Sequence, residues 1–278
     1  MSVEIGYFKR WLQNFTATDN TLVSASDFTP FSITAPSDSR LPGGGGYTVG
    51  GLFNQANRFG QTSNNITDAA NFGKQYQSYN GFLVNFSARA AQGLTVQGGI
   101  NTGRTVTDNC DVRAVLIEGS LGIASSTAQN TYCHNDPGFI TKANAIASYI
   151  VPKVDVLVAM TFRSDQGAPL AANWNAPSAT VVQPALGRPV TGGAATTSIN
   201  LIAPGDVWGD RVNELDFRFG KILKFSRYRV NAGIDIYNIL NQAAILTYNQ
   251  TFAPGGAWLT PQSLLSPRFI KLGAQIDF

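Results

Sequence analysis

The 278-residue chain has a net charge of +3, with 13% charged and 44% hydrophobic side chains. The charged share is about half the usual one, and no basic block is present, which excludes a nucleic-acid surface. A mean hydropathy of −0.03 and the lack of any run of about 18 apolar residues exclude a helical membrane protein. Low charge, 28 glycines and 11% aromatics suit either a transmembrane β-barrel or a secreted β-sandwich. The start, MSVEIGYFKRW, has no apolar h-region. The chain is therefore either cytoplasmic or a piece whose export signal lies upstream.

Taken in order, the apolar residues recur with a period of two, which predicts strands and fits no helix. Val3, Ile5 and Tyr7 oppose Glu4 and Arg10. Phe82, Val84, Phe86, Ala88 and Ala90 oppose Asn85, Ser87 and Arg89, and Leu94, Val96 and Ile100 oppose Thr95, Gln97 and Asn101. Val154, Val156, Val158, Met160 and Phe162 follow; then Leu215, Phe217 and Phe219 oppose Asp216 and Arg218. Tyr228, Val230, Ala232, Ile234 and Ile236 oppose Arg229, Asn231 and Asp235. In the terminal IKLGAQIDF, Ile270, Leu272, Ala274 and Ile276 oppose Lys271, Gly273, Gln275 and Asp277. About eight spanning strands result, near 2–12, 74–90, 94–107, 140–151, 154–165, 207–222, 228–240 and 267–278.

The connections between them are unequal. Tight turns at 90–93, 152–155 and 223–228 alternate with long polar stretches at 13–74, 107–139, 166–207 and 241–266. That alternation predicts an all-β, antiparallel up-and-down transmembrane barrel with short periplasmic turns and long extracellular loops. A sandwich would place turn signals every 8–12 residues, and compact soluble domains rarely hold four structureless loops of such length. The glycine run LPGGGGYTVGG lacks phosphate-loop spacing and reads as a flexible hairpin in the first loop. Tyr149, Phe225, Tyr228 and Phe278 fall near the short-turn end, as one aromatic girdle requires.

The last strand and the one before it carry a resemblance. KLGAQIDF resembles the C-terminal signal of outer-membrane proteins, with Lys271, Gly273, Ile276 and the terminal aromatic Phe278. The resemblance implies recognition by the barrel assembly machinery. The tract 213–242 followed by 256–278 resembles the closing strands of TonB-dependent transporters. There Asp235, Tyr237, Asn238 and Asn241 precede a long loop, and Arg268, Phe269, Leu272, Gly273 and Phe278 mark the final strand. DFTPFSITAPSDSRLPGGGGY, NTGRTVTDNCD and SYIVPKVDV resemble the carboxypeptidase-regulatory-like (Oar-like) branch, so the likeness runs over nearly the whole chain. It implies the C-terminal part of a 22-stranded barrel in the outer membrane of a Gram-negative bacterium, in contact with outer-membrane lipid. The plug, the signal peptide and the N-terminal strands are not visible in the sequence. TonB would be engaged only through that absent part. The expected role is import of a scarce bulky solute, whether siderophore, cobalamin, saccharide or peptide. The alternative is a stand-alone small barrel acting as an adhesin or anchor through its loops.

Few residues invite chemistry. Cys110 and Cys133 share one long loop, and an even count in an exported chain predicts a disulfide. A metal site with His134 lacks a fourth ligand in recognisable spacing. His134 is also the lone histidine on which a Ser–His–Asp hydrolase would depend, but it sits in the turn-rich YCHNDPG, so the chain reads as no enzyme. Asp19, Asp27, Asp38 and Asp68 show no EF-hand spacing, and no cofactor is expected. The inward-facing candidates are Arg89, Arg163, Glu214, Asp216, Arg218, Arg229 and Asp235. They either pair between neighbouring strands or line a lumen against a plug or solute. Arg104 departs from the alternation and marks the outer rim.

Overall fold

Alternating residues can bury only one face of a strand, so the chain's first task is to pair strands edge to edge. The computed structural model describes all residues except 91–92, 121–130, 226–227 and 278. Eight long strands form one antiparallel meander. They are β1 (Ser2–Leu12), β2 (Tyr76–Arg89), β3 (Leu94–Asp108), β4 (Ile140–Val151), β5 (Val156–Asp165), β6 (Val212–Phe225), β7 (Tyr228–Tyr237) and β8 (Phe269–Asp277). Their spatial order is their chain order, β1 through β8, with the short strand His134–Asn135 added beside β3. The class is all-β. Among the described residues β1 pairs only with β2 and β8 only with β7, so the sheet is open, with two free edges.

Register places every apolar set on the same face. Ile5 lies opposite Val84, which lies opposite Ile100 and then Ala143. A lower row runs Ala88, Val96, Ala147, Met160, Phe217, Ile236, Ile270. Val3, Ile5 and Tyr7 thus share a face with Ile270, Leu272 and Ile276, as expected. Among the described residues nothing covers that face: Ile5 is 77% and Leu272 74% exposed. On the other face Tyr79 lies across the paired glycines Gly81 and Gly103, where a Cβ on either would collide with its ring. The glycines let an aromatic side chain lie flat along the sheet, a covering that also stiffens those positions.

All four long connections (13–75, 109–139, 166–211 and 238–268) leave one end of this wall, and the turns after β2, β4 and β6 leave the other. In the turn after β4, Lys153 and Asp155 take positive φ. Strand β6 continues to Phe225, so the third turn is shorter than the expected 223–228.

The long connections are not structureless, and here the sequence expectation is corrected. Strands Phe28–Thr34 and Thr48–Gln55 form one hairpin, and Thr16–Asn20 pairs with Asn64–Asp68. Asn173–Pro177 pairs antiparallel with Thr196–Asn200 and parallel with Thr251–Phe252, while Ile245–Tyr248 pairs with Pro261–Leu264. Three of the connections meet in a single apolar core that includes Phe31, Leu52, Trp174, Ile199, Phe252 and Trp258. The glycine run is also fixed: Gly44, Gly45 and Gly46 amides donate to the carbonyls of Leu41, Pro42 and Ala35. A Cβ at Gly45, whose φ is +80°, would run into the Pro36 carbonyl. The hydrophobic core of the molecule therefore lies in this cap, and the wall has almost none.

Candidate functional site

The sequence candidates fall into three places: the polar face of the wall, the junction of wall and cap, and the disulfide loop.

On the polar face, register aligns Arg89, Arg163, Glu214, Asp216, Arg218, Arg229 and Asp235, all opposite the apolar set. Arg163 lies directly across from Glu214 and bonds it at 2.8 Å, and Arg218 lies across from Asp235 at 3.2 Å. Arg163 also reaches Asp165 at 3.6 Å. The contacts to Glu214 and Asp235 are cross-strand pairs, and the one to Asp165 runs along β5. Asp216 is used differently, accepting the Asn238 amide at 2.8 Å. Arg89 and Arg229 form no ion pair among the described residues. A cavity of about 570 Å³ lies against this face from β1 to β5, lined by residues that include Glu4, Asn85, Gln97, Asn144, Thr161 and Arg163.

The tract that carried the family resemblance is a structural knot. Asn238 and Asn241 both take left-handed conformations, with φ of +48° and +51°, which asparagine tolerates better than most residues. Asn238 is 1% exposed. Its amide nitrogen donates to the carbonyls of Gln242 and Ser266, and its oxygen accepts from the Gln242 amide. Asn241 accepts from the Arg268 amide, and Tyr237 stacks on Phe269 at 4.5 Å between centroids. The motif thus ties the end of β7 to the start of β8 while the chain between them travels out into the cap. Leu272 lies on the open apolar face and Gly273 pairs with Gly233. Of the residues expected as an assembly signal, Lys271 and Gly273 lie on the polar face and Ile276 on the apolar one. Phe278 lies outside the described residues, as do the side chains of Phe225 and Tyr228.

In the second long connection Cys110 and Cys133 form the expected disulfide, with Cα atoms 4.8 Å apart. The bond anchors a short helix, Cys110–Val115, whose Val112 packs with Leu116 and Ala69 against Phe15 and Phe72. His134 is half-exposed and its Nδ1 lies 2.7 Å from an Asp108 oxygen. That is two thirds of a hydrolytic relay, but among the described residues no serine hydroxyl bonds the ring. Nearby, Arg104 holds Asp136 through two nitrogens, and that contact, first among its causes, lowers the carboxyl's pKa. Among the described residues no three His, Cys, Asp or Glu side chains converge as metal ligands.

Sequence reasoning missed the contacts that fasten the cap. Arg40 bonds both oxygens of Asp38 and donates to the carbonyls of Gly256, Trp258 and Ala253. Its guanidinium lies 5.6 Å from the Trp258 ring centroid, a cation–π contact. Arg188 bridges from the third long connection to Thr29 and the Asn54 carbonyl in the first. The only sequence signal was an acid and an arginine two apart in the glycine-rich stretch, and its partners lie more than 200 residues away. With this geometry in hand, comparison adds no relative: no family model, curated protein or solved structure matches the chain.

Proposed function

We propose that the chain is wall and outer cap of a TonB-dependent type of outer-membrane β-barrel and serves uptake of a bulky solute. The observation that carries the membrane reading is the slant of the exposed apolar belt. On β1 the belt centres on Ile5, and on β8 between Leu272 and Ala274. Followed through the pairing register, that centre drifts about seven residues over seven strand-to-strand steps. One residue of about 3.3 Å per step of about 4.8 Å corresponds to a tilt of about 35°. Barrel strands in a membrane tilt by about 35–45°. A level lipid slab would meet this slanted belt on every strand at once, whereas a sandwich would have to cover it with a second sheet. Charge respects the belt: on the apolar face Lys9 and Arg104 stand toward the cap end, and Lys221 stands at the turn end. The open edges favour a segment of a larger wall over a closed eight-stranded barrel, because lipid leaves no unpaired strand edge satisfied. No helix among the described residues is long and apolar enough to cross a membrane, a statement that does not bear on strands.

Single tryptophans in vesicles test the membrane reading. Leu272→Trp should be quenched by lipids brominated at mid-chain, and Lys271→Trp, one residue away, should not. Equal quenching at both positions would remove it. The transport half rests on the tract 213–278. It predicts that cells lacking the gene grow poorly on at least one scarce iron chelate, cobalamin, saccharide or peptide source. Unchanged growth on all four classes would leave only the wall.

A further inference from the structure

Two hollows adjoin at the cap end of β1–β3, apart from the cavity against the polar face of the wall. Each has a volume of about 240 Å³, and they share Phe15, Gln75 and Tyr76. The first continues over Gln77, Tyr132 and Asn135, the second over Gln13 and Asn14. Together they fall in the size range of small-ligand sites.

Their chemistry is specific in two ways. Carboxamides dominate, and each offers two donors and an acceptor in one plane. Aromatic rings supply flat apolar surface beside them. The charged groups are balanced within each hollow: Asp108 and Arg113 in the first, Asp68 and Lys74 in the second. Both carboxylates are already engaged, Asp108 with His134 and the Cys110 amide, Asp68 with the Ala70 amide. Lys74 sits 5.1 Å from the Tyr76 ring centroid and braces the ring from one side. A net-charged ligand would find no uncompensated counter-charge. One acceptor in the lining is unspent: Asn135 Oδ1 is buried and has no hydrogen-bond partner among the described residues. Such an atom costs free energy until a donor reaches it.

We infer that this double hollow is a binding site for a neutral oligosaccharide, with one sugar ring in each half. Vicinal hydroxyls both donate and accept, as carboxamides do, and the C–H face of a pyranose suits an aromatic ring. Tyr76 and Gln75, common to both halves, would contact the two rings at their linkage, and Asn135 would accept from a hydroxyl of the first. The site goes beyond the uptake reading and does not depend on it, since it requires neither a membrane nor a closed wall.

The test uses the full chain in detergent micelles on an array of neutral oligosaccharides of two to four hexoses, with sulfated glycans and tetra-alanine as comparators. Retention by at least one neutral glycan is expected, weakened tenfold or more by Tyr76→Ala and by Gln75→Ala. Both variants should still form the 110–133 disulfide and keep the near-ultraviolet signal of the cap. Retention of no neutral glycan, preference for the sulfated ones or for the peptide, or loss below twofold in both variants would overturn the site. Vesicle quenching at Leu272→Trp reads the membrane proposal separately, so either can fail alone.

Discussion

Leu52 in the cap and Leu272 in the wall each sit beside a glycine in a strand, yet Leu52 is 0% and Leu272 74% exposed. The cap solves the hydrophobic problem within the chain: three connections bring Phe31, Trp174, Ile199 and Trp258 into one closed cluster. The wall does not solve it: its apolar face stays uncovered among the described residues, with Ile5, Leu272 and Ile276 exposed. Polar groups divide the other way. In the wall they pair across strands, Arg163 with Glu214 and Arg218 with Asp235. In the cap they reach between distant connections, as Arg40 does to Gly256 and Trp258. One region therefore encloses its apolar side chains within the chain, and the other leaves them exposed.

The largest expected effect breaks the cap alone. Trp258 is buried at the centre of its cluster, edge-on to Phe252 with ring centroids 5.2 Å apart, and donates to the Ala171 carbonyl. Trp258→Ala should destabilise the cap by about 3–5 kcal/mol, read as loss of near-ultraviolet circular dichroism in denaturant, while the strand signal of the wall persists. Joint unfolding of wall and cap in one step would show that the two regions are not separable.

A charge on the wall should do the reverse. Leu272→Arg should cost about 2–4 kcal/mol of folding into vesicles if the belt lies at mid-bilayer. It should leave the cap signal in micelles unchanged. No penalty in vesicles would place β8 outside lipid.

The disulfide sharpens the boundary between the regions, since Cys110 follows β3 directly and Cys133 precedes the short strand beside it. Closing that loop of 23 residues' separation contributes about 3 kcal/mol in the chain-entropy model. Cys110→Ser with Cys133→Ser should therefore lower the denaturation midpoint of the cap, not that of wall pairing, as read by hydrogen exchange in β2 and β3.

How much of this was legible follows the same division. Wall strands are local statements: a period of two over Gly81–Ala90 or Val154–Phe162 fixes which residues share a face before any partner is known. Strict alternation of short and long connections fixed the meander and put all four long stretches at one end. The cap could not be read that way. Its strands are two to eight residues long, Pro30, Gly50 and Gly51 interrupt them, and a register shift breaks the hairpin between Phe31 and Ile33. Phe252 and Ile199 become core residues only because segments more than 50 residues apart meet. The Asp235–Asn241 tract was visible as a pattern, but its work, two left-handed asparagines holding β7 to β8, needed coordinates. The rim hollows gave no sequence signal, because Phe15, Gln75 and Asn135 come from three separate stretches.

The smallest expected effect concerns acid, and it falls on the cap's latch. Asp38 accepts from the Arg40 side chain, the Arg40 amide and the Gly255 amide. The Arg40 side chain is the leading cause holding its pKa well below the ordinary carboxylate range. A carboxyl lowered on folding stabilises the folded form above its unfolded pKa of about 3.9, and that contribution fades as pH falls toward the folded value. Asp136 behaves in the same direction through Arg104. Between pH 7 and 5 the cap should therefore be unaffected. Below about pH 4 Arg40 should release the 253–258 segment, and the near-ultraviolet signal around Trp258 should relax before strand pairing in the wall responds. Because Arg40 is still partly open to solvent, at 31% of its side chain, the latch's contribution is modest and salt-sensitive. Arg40→Ala should bring the acid-relaxed signal to neutral pH and flatten the response below pH 4, leaving the part due to the other carboxylates, Asp136 among them. If Arg40→Ala keeps the full acid transition, the proton is being taken up elsewhere and the Asp38–Arg40 contact is not what fastens the cap.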